Sequence, residues 1–142
     1  MTVVPGVLSI TVPASADLGT ATPGGTVSGS LGSVQVADNR AGLTGWTAVA
    51  SSTDFTTGGG TPAETIPVHD ALYLISGFSS TTGSATFTRT PTTNLSTSAQ
   101  AVVVATNVAG DNSATWNPLI QVAVPGGAVS GIYSATITNS VS

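Results

Sequence analysis

Cysteine and lysine are both missing from this chain of 142 residues. The first absence excludes disulfide staples, a thiol nucleophile and zinc–thiolate sites. A chain of this length buries roughly 68–70% of its unfolded surface, so a single domain over 1–142 folds without a staple. The second absence leaves Arg40 and Arg89 as the basic residues. A phosphate backbone requires several cations in one patch, which excludes nucleic acid as a partner. A polybasic membrane-surface mode fails for the same reason. Charged residues make up only 6% of the chain, against about 25% in an average soluble domain. The polar surface must therefore be built from Thr, Ser, Asn and Gln, which suits an extracellular protein facing glycans or other proteins. No apolar run approaches the roughly 18 residues of a membrane span; the longest is Ala101–Val102–Val103–Val104–Ala105. Met1 is followed at once by Thr2–Val3–Val4–Pro5, without the basic start of a signal peptide, and reads as the edge of a trimmed domain.

Helical signals are also lacking, because Pro, Gly and β-branched residues interrupt every window a helix would need. What the chain has instead is short runs of period two, the pattern of half-buried strands. These predict strands over Val7–Val12, Thr26–Leu31, Val34–Asp38, Trp46–Ser51 and Ala71–Ser76, then Ala85–Thr88, Gln100–Thr106, Leu119–Val124 and Ile132–Val141. Gln100–Thr106 is apolar on both faces and reads as the most buried strand. Pro23–Gly24–Gly25 and Pro125–Gly126–Gly127 are turns, since Pro lacks a ladder donor and Gly accepts positive φ. Gly110–Asp111–Asn112 reads as a connector ahead of Trp116. The expected fold is all-β, an immunoglobulin-like sandwich of about eight or nine strands.

Residues that carry chemistry are few. The six carboxylates, Asp17, Asp38, Asp54, Glu64, Asp70 and Asp111, show no spacing that suggests a glycosidase pair. Neither Asp38–Asn39–Arg40 nor Asp111–Asn112–Ser113 has the alternating ligands and Gly of a calcium loop. His69 is the single histidine, so no two-His metal site forms within one chain. His69–Asp70 lacks a G-x-S-x-G elbow to serve. No enzyme, metal or cofactor is expected. The candidate ligand-binding residues are Trp46, Trp116, Asp38, Arg40 and Asn117. Trp46 opens a strand after Gly45, where its ring either stacks on a sugar or packs between two sheets. Trp116 is flanked by the polar residues Thr115 and Asn117 and is expected to be exposed or half-exposed. Asp38 and Arg40, at i and i+2, are either a hydrogen-bonding pair for a polar ligand or an ion pair and Asx turn fixing the loop before Trp46.

Three segments resemble the WxL family of cell-surface domains. Ala16–Asp17–Leu18–Gly19–Thr20 is similar to its early strand entry. Val34–Gln35–Val36–Ala37–Asp38–Asn39–Arg40, followed after a Gly-containing loop by Gly45–Trp46–Thr47–Ala48–Val49, resembles its VTDNRG…GWTLTVS block. Val124–Pro125–Gly126–Gly127–Ala128 with Gly131–Ile132–Tyr133–Ser134–Ala135–Thr136–Ile137–Thr138 resembles its terminal VPxGxxAGTYTATLTW. Order and spacing agree over nearly the whole chain. The resemblance implies an exported protein of a Gram-positive cell surface, attached non-covalently to peptidoglycan or another wall glycan; the high Ala, Gly and Thr usage and the absence of Lys point to an actinobacterial relative. The chain departs from the pattern at both W-x-L positions, which read Trp46–Thr47–Ala48 and Asn139–Ser140–Val141. The alternative expectation is a structural subunit of a surface layer, appendage or surface protein complex. Its charge-poor run Thr2–Val12 would then add to a neighbour's sheet edge.

Overall fold

A computed structural model describes residues 1–4 and 6–142. Alternation of small hydroxyl-bearing and apolar residues makes strands half-buried, and twelve form among the described residues. They are β1 (Leu8–Thr11), β2 (Thr26–Ser30), β3 (Val34–Asp38), β4 (Trp46–Ser52), β5 (Phe55–Thr56) and β6 (Thr65–Ile66), then β7 (Ala71–Leu74), β8 (Phe78–Arg89), β9 (Thr92–Asn94), β10 (Gln100–Trp116), β11 (Leu119–Ala123) and β12 (Ile137–Val141). The all-β sandwich expectation holds. One sheet orders β2-β11-β7-β9, all antiparallel. The larger sheet is built around β10, with β8 along one edge and β3 and β4 in succession along the other. Outside these, β1 pairs with β3 and β12 with β4.

The 17-residue β10 is longer than the sequence reading allowed. Gly110–Asp111–Asn112 is not a connector: the strand continues through it to Trp116. It does so by bending. Asn107 and Gly110 take positive φ, and the register with β8 shifts on either side of Ala109. Such bulges bend a strand and strengthen its twist. Gly83 of β8, at φ +81, faces the bend, where a Cβ would collide with the Asp111 carbonyl. The bend is sharp enough to bring Phe78 and Phe87 together with ring centroids 6.1 Å apart. Fully extended, that stretch would separate them by about 30 Å. The larger sheet thus folds over its own inner face, and the β2-β11-β7-β9 sheet closes the remaining side.

Four rings line the enclosed face: Trp46, Phe87, Phe78 and Trp116, with successive centroids 6.0, 6.1 and 6.3 Å apart. Tilted and edge-on contacts of this kind add to the area buried by the rings. Tyr73 enters from β7, fully buried; its hydroxyl donates to Asn139 Oδ1 at 3.0 Å and accepts Trp116 Nε1–H at 3.1 Å. Burial pushes the phenol up to about 12, from 10.0, only partly offset by the Trp116 hydrogen bond. A raised folded pKa stabilises the fold below the unfolded value and loses that contribution as pH rises through the folded one. Unfolding by alkali is therefore expected between about pH 10 and 12, worth up to about 2–3 kcal/mol at 1.36 kcal/mol per unit. Urea titrations across that range should show it, and Tyr73→Phe should flatten the dependence.

Among the described residues one buried side-chain polar atom has no partner, the Thr93 hydroxyl on β9. A buried unmade hydrogen bond costs about 1–3 kcal/mol, so Thr93→Val, of the same shape, should raise stability by about 1 kcal/mol in urea melts.

Besides β10, four expected strands change by two residues or more; one of them, Ala71–Ser76, ends at Leu74. Ala85–Thr88 is the end of the longer β8, Ile132–Val141 begins only at Ile137, and Val7–Val12 contracts to Leu8–Thr11. The Ala16–Thr20 segment is not a strand entry. It crosses β2, with the Leu18 backbone lying against Gly29, where a Cβ would clash. In Gln100–Thr106 only Val102, Val103 and Ala105 are buried, because Ala101 and Thr106 face outward.

Candidate binding surface

The candidate residues divide into two groups, Asp38, Arg40 and Trp46 gathered around the β10 bend and Trp116 and Asn117 at the far end of β10. Asp38 ends β3, and its carboxylate takes a fork of hydrogen bonds from Arg40, Nε to Oδ1 at 2.9 Å and Nη2 to Oδ2 at 3.1 Å. The Arg40 backbone N–H also donates to Oδ1, which closes an Asx turn. Arg40 Nη2 reaches on to the carbonyls of Thr44 and Gly45. Asp38 Oδ2 further accepts Asn112 Nδ2, and Asn112 Oδ1 accepts Trp46 Nε1–H at 2.9 Å. The side chains of β3, β4 and β10 and the loop between Asp38 and Trp46 are thereby tied into one polar network. Its inner members are buried, Asp38 at 2%, Asn112 at 3% and Trp46 at 2% exposure. The Arg40 hydrogen bonds hold the Asp38 carboxyl below the usual carboxylate range, against burial, which pushes it up.

This arrangement engages most of the pair locally. Both Asp38 oxygens are occupied, and Arg40 Nε and Nη2 are committed to Asp38 and to loop carbonyls. Of the two roles open to the pair, the local one is what the geometry performs. Trp46 likewise takes the packed role. Gly45 immediately before it fits a close approach to β10, where a Cβ would strike the Ala105 carbonyl.

Trp116 corrects the expectation of an exposed ring. It is 0% exposed, packed edge-on against Phe78 and bonded to Tyr73. The polar neighbours Thr115 and Asn117 misled because strand alternation sends them to the opposite side. Asn117 is exposed and accepts the Ser30 hydroxyl at 2.5 Å, beside a shallow, mostly apolar depression of about 590 Å³ under Leu74 and Pro91. It shares no contact with the Asp38 network. Asn112 was not among the candidates. Only knowing that β10 runs unbroken to Trp116 places it on the inward row with Ala114 and Trp116.

The outer face of the larger sheet is what the domain presents. Directly paired residues share a face. Thr47, Val104 and Thr88 form one outward row and Thr106 with Thr86 the next. Thr138 and Ser140, paired with Ser51 and Val49, extend this panel across β12. Beyond the bend a second panel carries Gln35, Thr115 and Ser80, then Ala37, Ser113 and Thr82. Neither panel contains a charged residue. The charged groups lie elsewhere and several are engaged: Arg89 on the Ile75 carbonyl, Asp54 on the Val68 N–H, Glu64 on Thr57 and Thr61.

Among the described residues no cluster of three His, Asp or Glu side chains is placed to hold a metal ion, and no helix is long and apolar enough to cross a membrane. No family model, curated protein or solved structure matches the chain.

Proposed function

We propose that this domain is a non-catalytic module of an exported cell-surface protein, attaching non-covalently to peptidoglycan or an associated wall glycan. The observation that carries this reading is the uncharged, hydroxyl-bearing outer face of the larger sheet, above all Thr47, Thr86, Thr88, Thr106 and Thr138. Such a face exchanges hydrogen bonds with a neutral, hydroxyl-rich polymer and gives no long-range attraction to a charged one. The sequence resemblance to the WxL family supports the same reading. Both tryptophans are buried, so contact falls to the threonine panels and not to ring stacking. Co-sedimentation with isolated Gram-positive sacculi tests it. The domain should pellet equally at low and high salt, since exposed ion pairs, which salt screens, take no part. The exposed double substitution Thr86→Glu with Thr88→Glu should keep it in solution while leaving the fold intact. A wild-type domain that stays in the supernatant would sink the proposal, and a charged variant that pellets undiminished would remove this face from it.

A second reading, an assembly subunit, has its own observation. Met1, Val3, Val4 and Val7 are 116, 82, 76 and 64% exposed, an apolar run on a molecule with little charge to keep copies apart. Runs of this kind mark association sites. The run expected to donate a strand, Thr2–Val12, is shorter in fact, because Leu8–Thr11 already pairs with β3. Light scattering on a size-exclusion column separates the readings: a strict monomer at high concentration removes the assembly subunit.

A further inference from the structure

The two arginines are used differently. Arg40 donates Nε and Nη2 to one carboxylate, Asp38, in a fork of 2.9 and 3.1 Å. The Arg89 side chain donates Nη1 to the Ile75 carbonyl at 2.7 Å and, among the described residues, makes no other hydrogen bond. The ion pairs there, Arg40 with Asp38 and His69 with Asp70, leave it without a carboxylate. Its Nε and Nη2 are not sealed in the interior either, since the Thr93 hydroxyl is the one buried side-chain polar atom without a partner. A lone carbonyl needs one donor, and a guanidinium has five. What Arg89 leaves open is the same pair of N–H groups with which Arg40 grips Asp38. These are two parallel donors that match the two oxygens of a carboxylate.

The setting of this guanidinium is fixed from both strands it touches. Arg89 pairs with Val103 of β10. The Thr90 N–H bonds the Val102 carbonyl at 2.8 Å, and the Ile75 N–H bonds the Pro91 carbonyl at 3.0 Å. Such preorganisation lowers the entropy lost when a ligand is held. Ile75, Ser76 and Pro91 also form one side of the depression of about 590 Å³ whose other side is Ser30, Asn117 and Leu119. Through Ile75, Arg89 therefore stands at the margin of a concavity of small-ligand size. Asn117 accepts the Ser30 hydroxyl through Oδ1, which leaves its exposed Nδ2 as a donor. Arg89 is also one residue along β8 from Thr88 of the outward threonine panel.

Resting on the wall-binding reading, we infer that Arg89 receives the terminal carboxylate of a wall peptide that ends in alanine. The carboxylate lies across Nε and Nη2, and the small apolar side chain beside it meets the Pro91 and Leu74 side of the depression. The ligand's charge follows from the count of cations. A polyphosphate wall polymer requires several cations in one patch. This site has a single guanidinium on a chain of net charge −4, which suits one negative charge and repels a string of them. A peptide terminus brings one charge, two coplanar oxygens and little else. The contact also supplies what the threonine panels lack. They exchange hydrogen bonds with any hydroxyl-rich polymer, whereas Arg89, at the panel's edge, distinguishes a glycan that carries peptides. Because Arg89 is half-buried, salt screens this contact much less than an exposed pair, which keeps it compatible with salt-resistant pelleting.

The probe is N-acetyl-D-alanyl-D-alanine, titrated into the isotope-labelled domain while backbone amide resonances are followed by NMR. Shifts are expected at Ile75, Ser76, Arg89 and Thr90. The same peptide with its terminus amidated should bind at least about tenfold more weakly, 1.4 kcal/mol. Arg89→Gln, which keeps a donor for the Ile75 carbonyl, should lose affinity for the acid to the same extent. Arg89→Lys, which keeps the charge and loses the fork, should fall close to it. Urea midpoints establish that both variants are folded, and the amidated peptide tests the carboxylate on the unaltered protein. An amide that binds as tightly as the acid overturns the inference, as does binding undiminished by Arg89→Gln. Glycerol phosphate that displaces the peptide at lower concentration overturns the choice of carboxylate. A wild-type domain that pellets with sacculi yet shows no shifts with the peptide overturns the inference and leaves the wall-binding reading standing. A domain that neither shifts nor pellets removes both.

Discussion

Trp116→Ala is expected to destabilise the domain by about 3–5 kcal/mol, the range for truncating a buried large aromatic. Three losses combine. The ring is 0% exposed, so its whole transfer contribution goes, and a cavity opens between the two sheets. Phe78 loses its edge-on neighbour at 6.3 Å. The Tyr73 hydroxyl loses its donor and keeps only Asn139. Small domains are stable by about 5–15 kcal/mol in total, so this single change removes a large share. Urea denaturation followed by tryptophan fluorescence from Trp46 measures it. Trp116→Phe should cost less, because a ring still packs against Phe78, while the indole hydrogen bond and part of the ring volume are lost. A small effect of Trp116→Ala would mean that the ring is not in the core and would return it to the list of ligand-binding candidates. The result also governs how wall-binding assays are read. If the alanine variant fails to pellet with sacculi, its circular dichroism decides whether binding or folding was lost.

How much of this was legible in the sequence follows from what each signal depends on. Strand runs were readable wherever the alternation was unbroken, as in Val34–Asp38 and, to within one residue, Leu119–Val124, because the pattern is set by the residues themselves. The bend in β10 was not, because Gly110–Asp111–Asn112 carries the same composition whether it turns the chain or bulges a strand. That one ambiguity had several consequences. It hid the inward position of Asn112, exposed Trp116 on paper, and left β8, which pairs with the far half of β10, cut down to Ala85–Thr88. The Asp38–Arg40 pair was readable, since its spacing is local. The third partner, Asn112, comes from 74 residues away and no local rule reaches it. The uncharged outer panels were implied by composition alone, but which threonines share a face depended on a register that only the paired strands define.

Asp38→Ala is the second large expectation, about 2–3 kcal/mol, the upper range for hydrogen bonds to a charged group. The carboxylate, 2% exposed, accepts from Arg40 Nε, Nη2 and backbone N–H and from Asn112 Nδ2. Arg40, with its side chain 31% exposed, can turn to solvent and recover part of its loss, which keeps the figure below that of a fully enclosed pair. Asn112 is buried and loses one of its three side-chain hydrogen bonds, keeping the Gly110 carbonyl and the Trp46 indole as partners. The same pair makes the fold sensitive to acid. Asp38 titrates lower in the folded state than its ordinary value, so its contribution is complete above about pH 4, the unfolded carboxylate value, and is lost as pH falls through the folded pKa. Asp38→Asn should therefore be less stable than wild type at neutral pH and should converge with it in strong acid, where both residues are uncharged. Urea midpoints for the two proteins from neutral pH down to about pH 2 decide the matter, the window in which a salt-bridged carboxylate gives up its share. Curves that run parallel throughout would show that Asp38 holds the loop by shape and hydrogen bonding without its charge. Converging curves would show that one buried anion, anchored by one of only two basic residues, fixes the chain ahead of Trp46.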